Sequence, residues 1–151
     1  MMAMRIALSA DHAGYALKDE LVAWLRADGH EVLDLGTNGP DSVDYPDYGA
    51  RLASAIAAGN AERGIVVCGS GIGISIAVNR NPACRCARVD DPLSARLARE
   101  HNDANVLALG ARLIGGDMAR ACVAAFLGSD FAGGRHQRRV DQLSQLLQES
   151  D

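Results

Sequence analysis

Residues 64–73 have the sequence Gly-Ile-Val-Val-Cys-Gly-Ser-Gly-Ile-Gly, and this stretch decides the fold of the chain. The apolar run that ends at Cys68 is typical of a strand buried on both faces of a parallel sheet. The alternating glycines that follow let the backbone turn tightly and enter a helix. We therefore predict a strand over 64–68, a tight turn, and a helix over about 71–79.

The same alternation of a short apolar run and a longer segment of helical period continues on both sides of this stretch. The predicted strands are residues 5–9, 31–35, 64–68, 85–89 and 106–109, and the tail over 135–148 is predicted to be a last helix. Strict alternation predicts a parallel sheet with right-handed crossovers. We expect an α/β, Rossmann-like sandwich in a single domain over residues 1–151. It has a five-stranded parallel sheet, helices on both faces and a C-terminal helix.

The composition excludes several classes of protein. The 151 residues are 48% hydrophobic and 23% charged, which is ordinary for a globular fold and argues against disorder. A net charge of −4 and an aromatic content of 4% argue against nucleic-acid binding. No apolar run approaches the roughly 20 residues of a membrane span. No signal segment precedes Asp11, and the four cysteines form no CxxC pair, so we expect free thiols in the cytoplasm.

A parallel sheet of this kind binds ligands at the carboxyl ends of its strands. The residues that follow the predicted strands are Asp11 and His12, the loop 36–46, the glycine loop 69–73, Asp90 and Asp91, and Arg112. The amides of the glycine loop could converge on a phosphate or an oxyanion, or the loop could be only a tight turn. A dinucleotide fingerprint is a third alternative, but Ile74 occupies the position of its third glycine.

Several side chains in these loops could carry chemistry. Cys68 directly precedes a predicted helix, where the helix dipole favours a thiolate that could act as nucleophile or base; it could equally be a buried core thiol. We interpret Cys84, Cys86 and Cys122 as core residues, and His30 as a surface residue. His12 and His101 could each reach a substrate or simply lie at a helix end.

The C-terminal segment contributes positive charge. Arg135 and Arg139 are four residues apart, so they share one helix face and could bind a phosphate dianion, unless they form only a solvated face. No pair of histidines has the spacing of a helical metal site, so we expect no metal.

Together these residues form ordered blocks that resemble the type B ribose-5-phosphate isomerase family over almost the whole chain. The matching blocks are residues 9–14 (Ser-Ala-Asp-His-Ala-Gly), 44–46 (Asp-Tyr-Pro), 68–79 (Cys-Gly-Ser-Gly-Ile-Gly-Ile-Ser-Ile-Ala-Val-Asn), 101–105 (His-Asn-Asp-Ala-Asn) and 133–139 (Gly-Gly-Arg-His-Gln-Arg-Arg). The resemblance implies an aldose–ketose isomerase of the pentose phosphate pathway. It would interconvert ribose 5-phosphate and ribulose 5-phosphate through a cis-enediolate, without a cofactor.

The resemblance also assigns a role to each matching position. Cys68 is the base, because Ile74 stands where members without the cysteine have a glutamate. His101 opens the sugar ring, and Ser70 with the amides of Gly69, Gly71 and Gly73 stabilises the enediolate. Asp11, Tyr45 and Asn102 bind sugar hydroxyls, and His12, Arg112, Arg135 and Arg139 bind the phosphate. In the family the site lies at a dimer interface, which implies a homodimer or tetramer that is inactive as a monomer.

Three alternatives to ribose 5-phosphate isomerisation remain open at this stage. The family, as the resemblance implies, includes isomerases of allose 6-phosphate and galactose 6-phosphate, and one hydroxymethyl group is worth only about 1–3 kcal/mol of discrimination. A dinucleotide-binding oxidoreductase would use the glycine loop to bind its dinucleotide cofactor. A regulatory module that binds a phosphosugar would need neither Cys68 nor His101. In every case we expect the matched residues to gather at the carboxyl ends of the strands.

Overall fold

The computed structural model describes residues 2–149, and the predicted alternation of strands and helices is confirmed. The strands are β1 (Arg5–Ala10), β2 (Glu31–Asp34), β3 (Arg63–Cys68), β4 (Cys86–Arg88) and β5 (Val106–Gly110). The helices are α1 (Tyr15–Ala27), α2 (Tyr45–Ala57), α3 (Ile72–Val78), α4 (Pro92–Asn102), α5 (Gly116–Leu127) and α6 (Arg135–Glu149).

The five strands form one sheet in the order β2-β1-β3-β5-β4, and every neighbouring pair is parallel. The chain turns from one half of the sheet to the other between β1 and β3, which creates a crevice at the carboxyl ends of these strands. Cys68, the last residue of β3, is aligned with Gly110, the last residue of β5. The glycine loop therefore leaves the sheet beside the end of β5.

Two apolar layers cover the sheet, one on each face. Alternate residues of β3 divide between them: Ile65 and Val67 pack with residues of α1, α4 and α5, whereas Val66 and Cys68 pack with residues of α2 and α3. This division follows from the period of two along a strand. Cys68 consequently points toward the α2 and α3 side at the ligand-binding edge.

Two polar residues occupy positions that the sequence does not reveal. His30, interpreted above as a surface residue, is buried, and its Nδ1 accepts a hydrogen bond from the Met4 N–H at 3.1 Å. Lys18 is fully buried on α1, where its Nζ lies 2.7 Å from Asp34 and 2.8 Å from Asp19. The ion pairs explain the burial of Lys18, because a buried charge is tolerated when it has a partner. The Met4 N–H satisfies Nδ1 of His30, whereas the buried Nε2 has no hydrogen-bond partner among the described residues.

The edge strand β4 is shorter than the predicted 85–89, and asparagine side chains bind the backbone at its start. The Arg85 N–H donates to Asn105 Oδ1 at 2.8 Å, and the Cys86 N–H donates to Asn79 Oδ1 at 2.8 Å. Among residues 2–149, the helices include none that is long and apolar enough to span a membrane.

Candidate active site

A cleft of about 300 Å³ opens at the carboxyl edge of the sheet, and we call it the cysteine cleft. Its lining residues are Asp11, Tyr45, Cys68, Gly69, Ser70, Gly73, Arg112 and Leu113. They come from the loops after β1, β3 and β5 and from the start of α2. The structure thus brings together seven of the side chains and loop positions named from the sequence, with Gly71 adjoining them in the glycine loop.

Two glycines shape this cleft, because a Cβ at either position would be strained or would meet a neighbouring group. Gly71 has a φ of +77°, and a Cβ there would lie 2.8 Å from the carbonyl carbon of Leu109. At Gly73 a Cβ would meet the ring of Tyr45 at 2.7 Å. The glycine loop can therefore lie against the end of β5 and under the Tyr45 ring, which sets the floor of the cleft.

Cys68 has a contact that suits a thiolate. Its Sγ accepts a hydrogen bond from the Gly71 N–H at 3.1 Å, and the residue is only 5% exposed although it lines the cleft. A backbone N–H aimed at sulfur stabilises negative charge there. The Gly71 amide, which the resemblance assigns to the enediolate, is directed at the sulfur in this structure.

The other three cysteines have surroundings that keep them protonated at neutral pH. Burial raises the pKa of Cys84 to about 11, and burial together with Asp91 and Asp90 raises that of Cys122 to about 11. Burial and the neighbouring Cys84 also raise the pKa of Cys86. Cys84 and Cys122 are buried and Cys86 is partly buried, which supports their interpretation as core residues.

Asp11 and His12 are fixed by backbone contacts after β1. Asp11 Oδ1 accepts hydrogen bonds from the N–H groups of Ala13 at 3.0 Å and Gly14 at 3.1 Å. His12 Nδ1 accepts from the Val43 N–H at 3.1 Å, so the neutral ring carries its proton on Nε2. Nε2 is then a donor suited to an anionic ligand, although His12 is not among the residues lining the cleft.

A second cleft, of about 460 Å³, contains three further predicted site residues, and we call it the histidine cleft. Its lining residues are His101, Asn102, His136, Arg139, Val140, Gln142, Leu143 and Leu146. It lies between the end of α4 and α6. Arg135, at the start of α6, is exposed beside it.

His101 and His136 stack in this cleft with their ring centroids 4.3 Å apart. Partial desolvation lowers the pKa of His136 below the usual 6.5, and the charges of His101, Arg135 and Arg139 lower it further. A neutral His136 can therefore support the His101 ring without repelling it. We did not identify His136 as a site residue from the sequence; its place in the 133–139 block, between two predicted phosphate ligands, was the available signal.

The remaining polar residues of the 101–105 block hold the end of α4 in place. Asp103 has a φ of +49° and accepts from Arg99 Nη1 at 2.8 Å and from Arg85 Nη2 at 3.3 Å. Asn105 Oδ1 accepts from the Arg85 N–H, and its Nδ2 donates to the Ala83 carbonyl at 2.9 Å. This network orients His101 and Asn102 toward the cleft.

The two clefts lie at opposite edges of the sheet, which corrects the expectation that all matched residues gather at the carboxyl ends. Helix α4 begins after β4 and ends just before β5, so it carries His101 and Asn102 to the amino edge. Its 11 residues at about 1.5 Å each span about 16 Å. Helix α6 places Arg135 and Arg139 beside them at the same edge. Within one chain, a ligand at Cys68 therefore cannot contact His101.

Comparisons with known proteins identify the family. A family model described as Ribose/Galactose Isomerase matches residues 6–143. The chain belongs to the ribose/galactose isomerase family. Ribose-5-phosphate isomerase B of Escherichia coli is 45% identical over 144 residues, which cover 95% of this chain and 97% of the relative. A protein of the same name from Mycobacterium tuberculosis is 41% identical over 147 residues, which cover 96% of this chain and 91% of the relative.

Solved structures of family members confirm the predicted fold. The ribose-5-phosphate isomerase B of Clostridium thermocellum has a TM-score of 0.97 and 47% identity, covering 98% of this chain and all of the other. The type B ribose 5-phosphate isomerase of Trypanosoma brucei has a TM-score of 0.91 and 39% identity, covering 96% and 99%. Membership of this isomerase family replaces the dinucleotide-binding oxidoreductase as an interpretation of the glycine loop.

The side chains of the structure also bear on metal binding. Within residues 2–149, no group of three or more His, Cys, Asp or Glu side chains is placed to hold a metal ion. The chemistry proposed below uses side chains and backbone amides only.

Proposed function

We propose that this protein interconverts ribose 5-phosphate and ribulose 5-phosphate, with Cys68 as the base. The observation that carries the proposal is the hydrogen bond from the Gly71 N–H to Cys68 Sγ at the floor of the cysteine cleft. The names of the family members given above support ribose 5-phosphate over the six-carbon sugar phosphates. The other cysteines have raised pKa values and are no alternative base.

The proposed reaction moves one proton between two carbons. The Cys68 thiolate takes the proton from carbon 2 of the open-chain aldose, and the electron pair of that bond forms a cis-enediolate with negative charge on oxygen 1. The hydroxyl proton then shifts from oxygen 2 to oxygen 1, and the thiol returns its proton to carbon 1 to give the ketose. General-base catalysis of this kind is worth about 10²–10⁴-fold.

Ser70 and the free amides of the glycine loop are placed to stabilise the enediolate. Ser70 Oγ accepts from the Ile72 N–H at 3.1 Å, which leaves its own hydroxyl proton for the substrate oxygen. The first hydrogen bond of α3 runs from the Ser75 N–H to the Gly71 carbonyl, so the Gly73 amide is not used by the helix. Donors preorganised toward developing charge supply the largest part of such catalysis.

We propose further that a second copy of the chain completes each site. Cys68, Asp11, Tyr45 and Arg112 lie in one cleft, whereas His101, Asn102 and Arg139 lie in the other. A homodimer, alone or as half of a tetramer, would join the cysteine cleft of one protomer to the histidine cleft of its partner. Arg112 and His12 would then hold the phosphate together with Arg135 and Arg139 of the other protomer.

Exposed apolar side chains support this assembly. Leu113 lines the cysteine cleft, Ile72 and Ile76 lie on α3, and all three are more than half exposed. Leu143 and Leu146 on α6 are exposed beside the histidine cleft. Apolar surface of this kind marks an interaction site when it is clustered.

The test of the function is an isomerase assay with ribose 5-phosphate, allose 6-phosphate and galactose 6-phosphate, each with and without a chelator. We expect ribose 5-phosphate to be the best substrate and the chelator to have no effect. Cys68→Ala should lower kcat by about 10²-fold or more, whereas the matched control Cys122→Ala, on the opposite face of the sheet, should retain activity. Wild-type protein that converts none of the three sugars would refute the proposal.

A further inference from the structure

Arg88 contacts the glycine loop from the edge of the sheet. It is the last residue of β4, and its Nε donates to the Ser70 carbonyl at 3.0 Å. Its guanidinium also forms an ion pair with Asp90. The Arg88 side chain is 25% exposed, so its hydrogen bond to Ser70 is partly shielded from water. Neither the sequence motifs nor the proposed mechanism assigns a role to this residue.

The Ser70–Gly71 peptide unit links Arg88 to the sulfur of Cys68. Its carbonyl oxygen accepts from Arg88 Nε, and its N–H donates to Cys68 Sγ at 3.1 Å. A cation on the oxygen polarises the amide and strengthens its N–H as a donor. The guanidinium therefore acts on the sulfur through a single peptide group.

The Ser70–Gly71 peptide also packs closely against β5. A Cβ at Gly110 would lie 2.6 Å from the Ser70 carbonyl oxygen, so the peptide rests directly on the β5 backbone. Gly71 itself has a φ of +77°, a conformation that glycine can leave at little cost. The hydrogen bond from Arg88 Nε adds a directional contact to this packing, because it holds the Ser70 carbonyl, and with it the Gly71 N–H of the same peptide, in the observed direction.

We propose that Arg88 is a positioning residue that holds the Gly71 N–H on Cys68 and thereby favours the Cys68 thiolate. Its consequence for turnover rests on the function proposed above, because it assumes that Cys68 is the base. The effect of Arg88 on the reactivity of the Cys68 thiol does not depend on that function. The two proposals can therefore be tested separately.

The test compares alkylation of Cys68 by iodoacetamide across pH in the full-length protein, with the modified peptide identified by mass spectrometry. Arg88→Met removes the donor and keeps much of the aliphatic stem. We expect the alkylation rate at pH 7 to fall about three- to tenfold and the midpoint of its pH profile to move upward. Arg88→Gln, which is also uncharged, should change the alkylation rate and the midpoint in the same directions. It replaces Arg88→Met in the test if the methionine variant does not fold.

Two further variants separate this role from general stabilisation. Arg96→Met removes an exposed arginine of α4 that pairs with Glu100, and it should leave the alkylation profile unchanged. Asp90→Asn breaks the ion pair of Arg88 but leaves its bond to Ser70, so it should not reproduce the fall. An unchanged profile in folded Arg88→Met, or an equal fall in Asp90→Asn, would overturn the inference.

Isomerase kinetics on the same variants keep the two proposals distinguishable. If both hold, Arg88→Met lowers kcat with little change in KM, because the contact acts on the base rather than on substrate binding. An altered alkylation profile in a protein that isomerises no sugar phosphate would support the role of Arg88 and refute the proposed function. Normal isomerase turnover with an unaltered alkylation profile in Arg88→Met would support the proposed function and refute the role of Arg88.

Discussion

Cys68 differs from the other three cysteines in the groups that surround its sulfur. It lines an open cleft and accepts a backbone N–H, whereas Cys84, Cys86 and Cys122 are held as thiols by raised pKa values. All four cysteines stand at apolar-looking positions of the sequence, so the residue type alone does not distinguish Cys68 from the others. The glycine loop that follows Cys68 does distinguish it.

The first prediction at this scale concerns the pH dependence of isomerisation. The base must be a thiolate, so protonation of Cys68 removes it, and kcat is expected to fall as the pH is lowered. The measurement is kcat for ribose 5-phosphate between pH 5 and 9. A profile that is flat over this range would contradict the role of Cys68 as base.

A second prediction concerns the histidine pair. Desolvation lowers the pKa of His136, and the positive charges of His101, Arg135 and Arg139 add to this effect. Arg139→Gln removes one of these charges and should therefore raise the pKa of His136, which NMR titration of the histidine Cε1–H signals measures. Arg138→Gln is the matched control, since Arg138 is not among the causes of the shift. Equal titration of His136 in wild type and Arg139→Gln would count against this account of the cleft.

At the scale of elements, the turn between β3 and α3 positions the sulfur of Cys68, the proposed base. We predict that Gly71→Ala destabilises the fold by about 1–3 kcal/mol, because alanine resists a φ of +77° and its Cβ would clash with the Leu109 carbonyl. Activity should fall with it, since the Gly71 N–H would leave Cys68. Thermal unfolding and kcat are the measurements.

Gly115→Ala provides the control for this substitution. No atom lies within 4 Å of a Cβ at Gly115, and its φ is −86°, so this variant should retain both stability and activity. If Gly71→Ala were as stable and as active as Gly115→Ala, the turn would not have the role described here.

The sequence predicts the strands and helices well, because each is coded by local periodicity and by the glycines between them. The limits of β4 are predicted less accurately, because the side chains of Asn79 and Asn105 bind the backbone at its start and such long-range contacts leave no local signal in the sequence. His30 was misplaced for the same reason: its burial depends on the Met4 N–H, 26 residues away in the chain. Arg88 is a further case, because its partner Ser70 belongs to another strand connection.

At the scale of the whole molecule, the residues that the resemblance assigns to the site are distributed over two edges of the sheet. Seven of the residues that the resemblance assigns line the cysteine cleft and three line the histidine cleft. The expectation that they share one edge is wrong for His101, Asn102, Arg135 and Arg139. The direction of the helices explains the error. A helix that follows a strand returns to the opposite edge of the sheet, so a residue at the end of the helix lies far from the carboxyl end of that strand. A site joined from two protomers reconciles the motif with this topology.

The most direct test of this account uses heterodimers purified through two different affinity tags. One dimer combines Cys68→Ala with His101→Ala, and the other combines wild type with the double variant Cys68→Ala/His101→Ala. If each site takes Cys68 from one protomer and His101 from its partner, the first heterodimer contains one intact site and should have about half of the wild-type activity toward ribose 5-phosphate, while the second should be inactive. The opposite result, an inactive first heterodimer and a half-active second one, would show that each chain holds a complete site and would contradict the account.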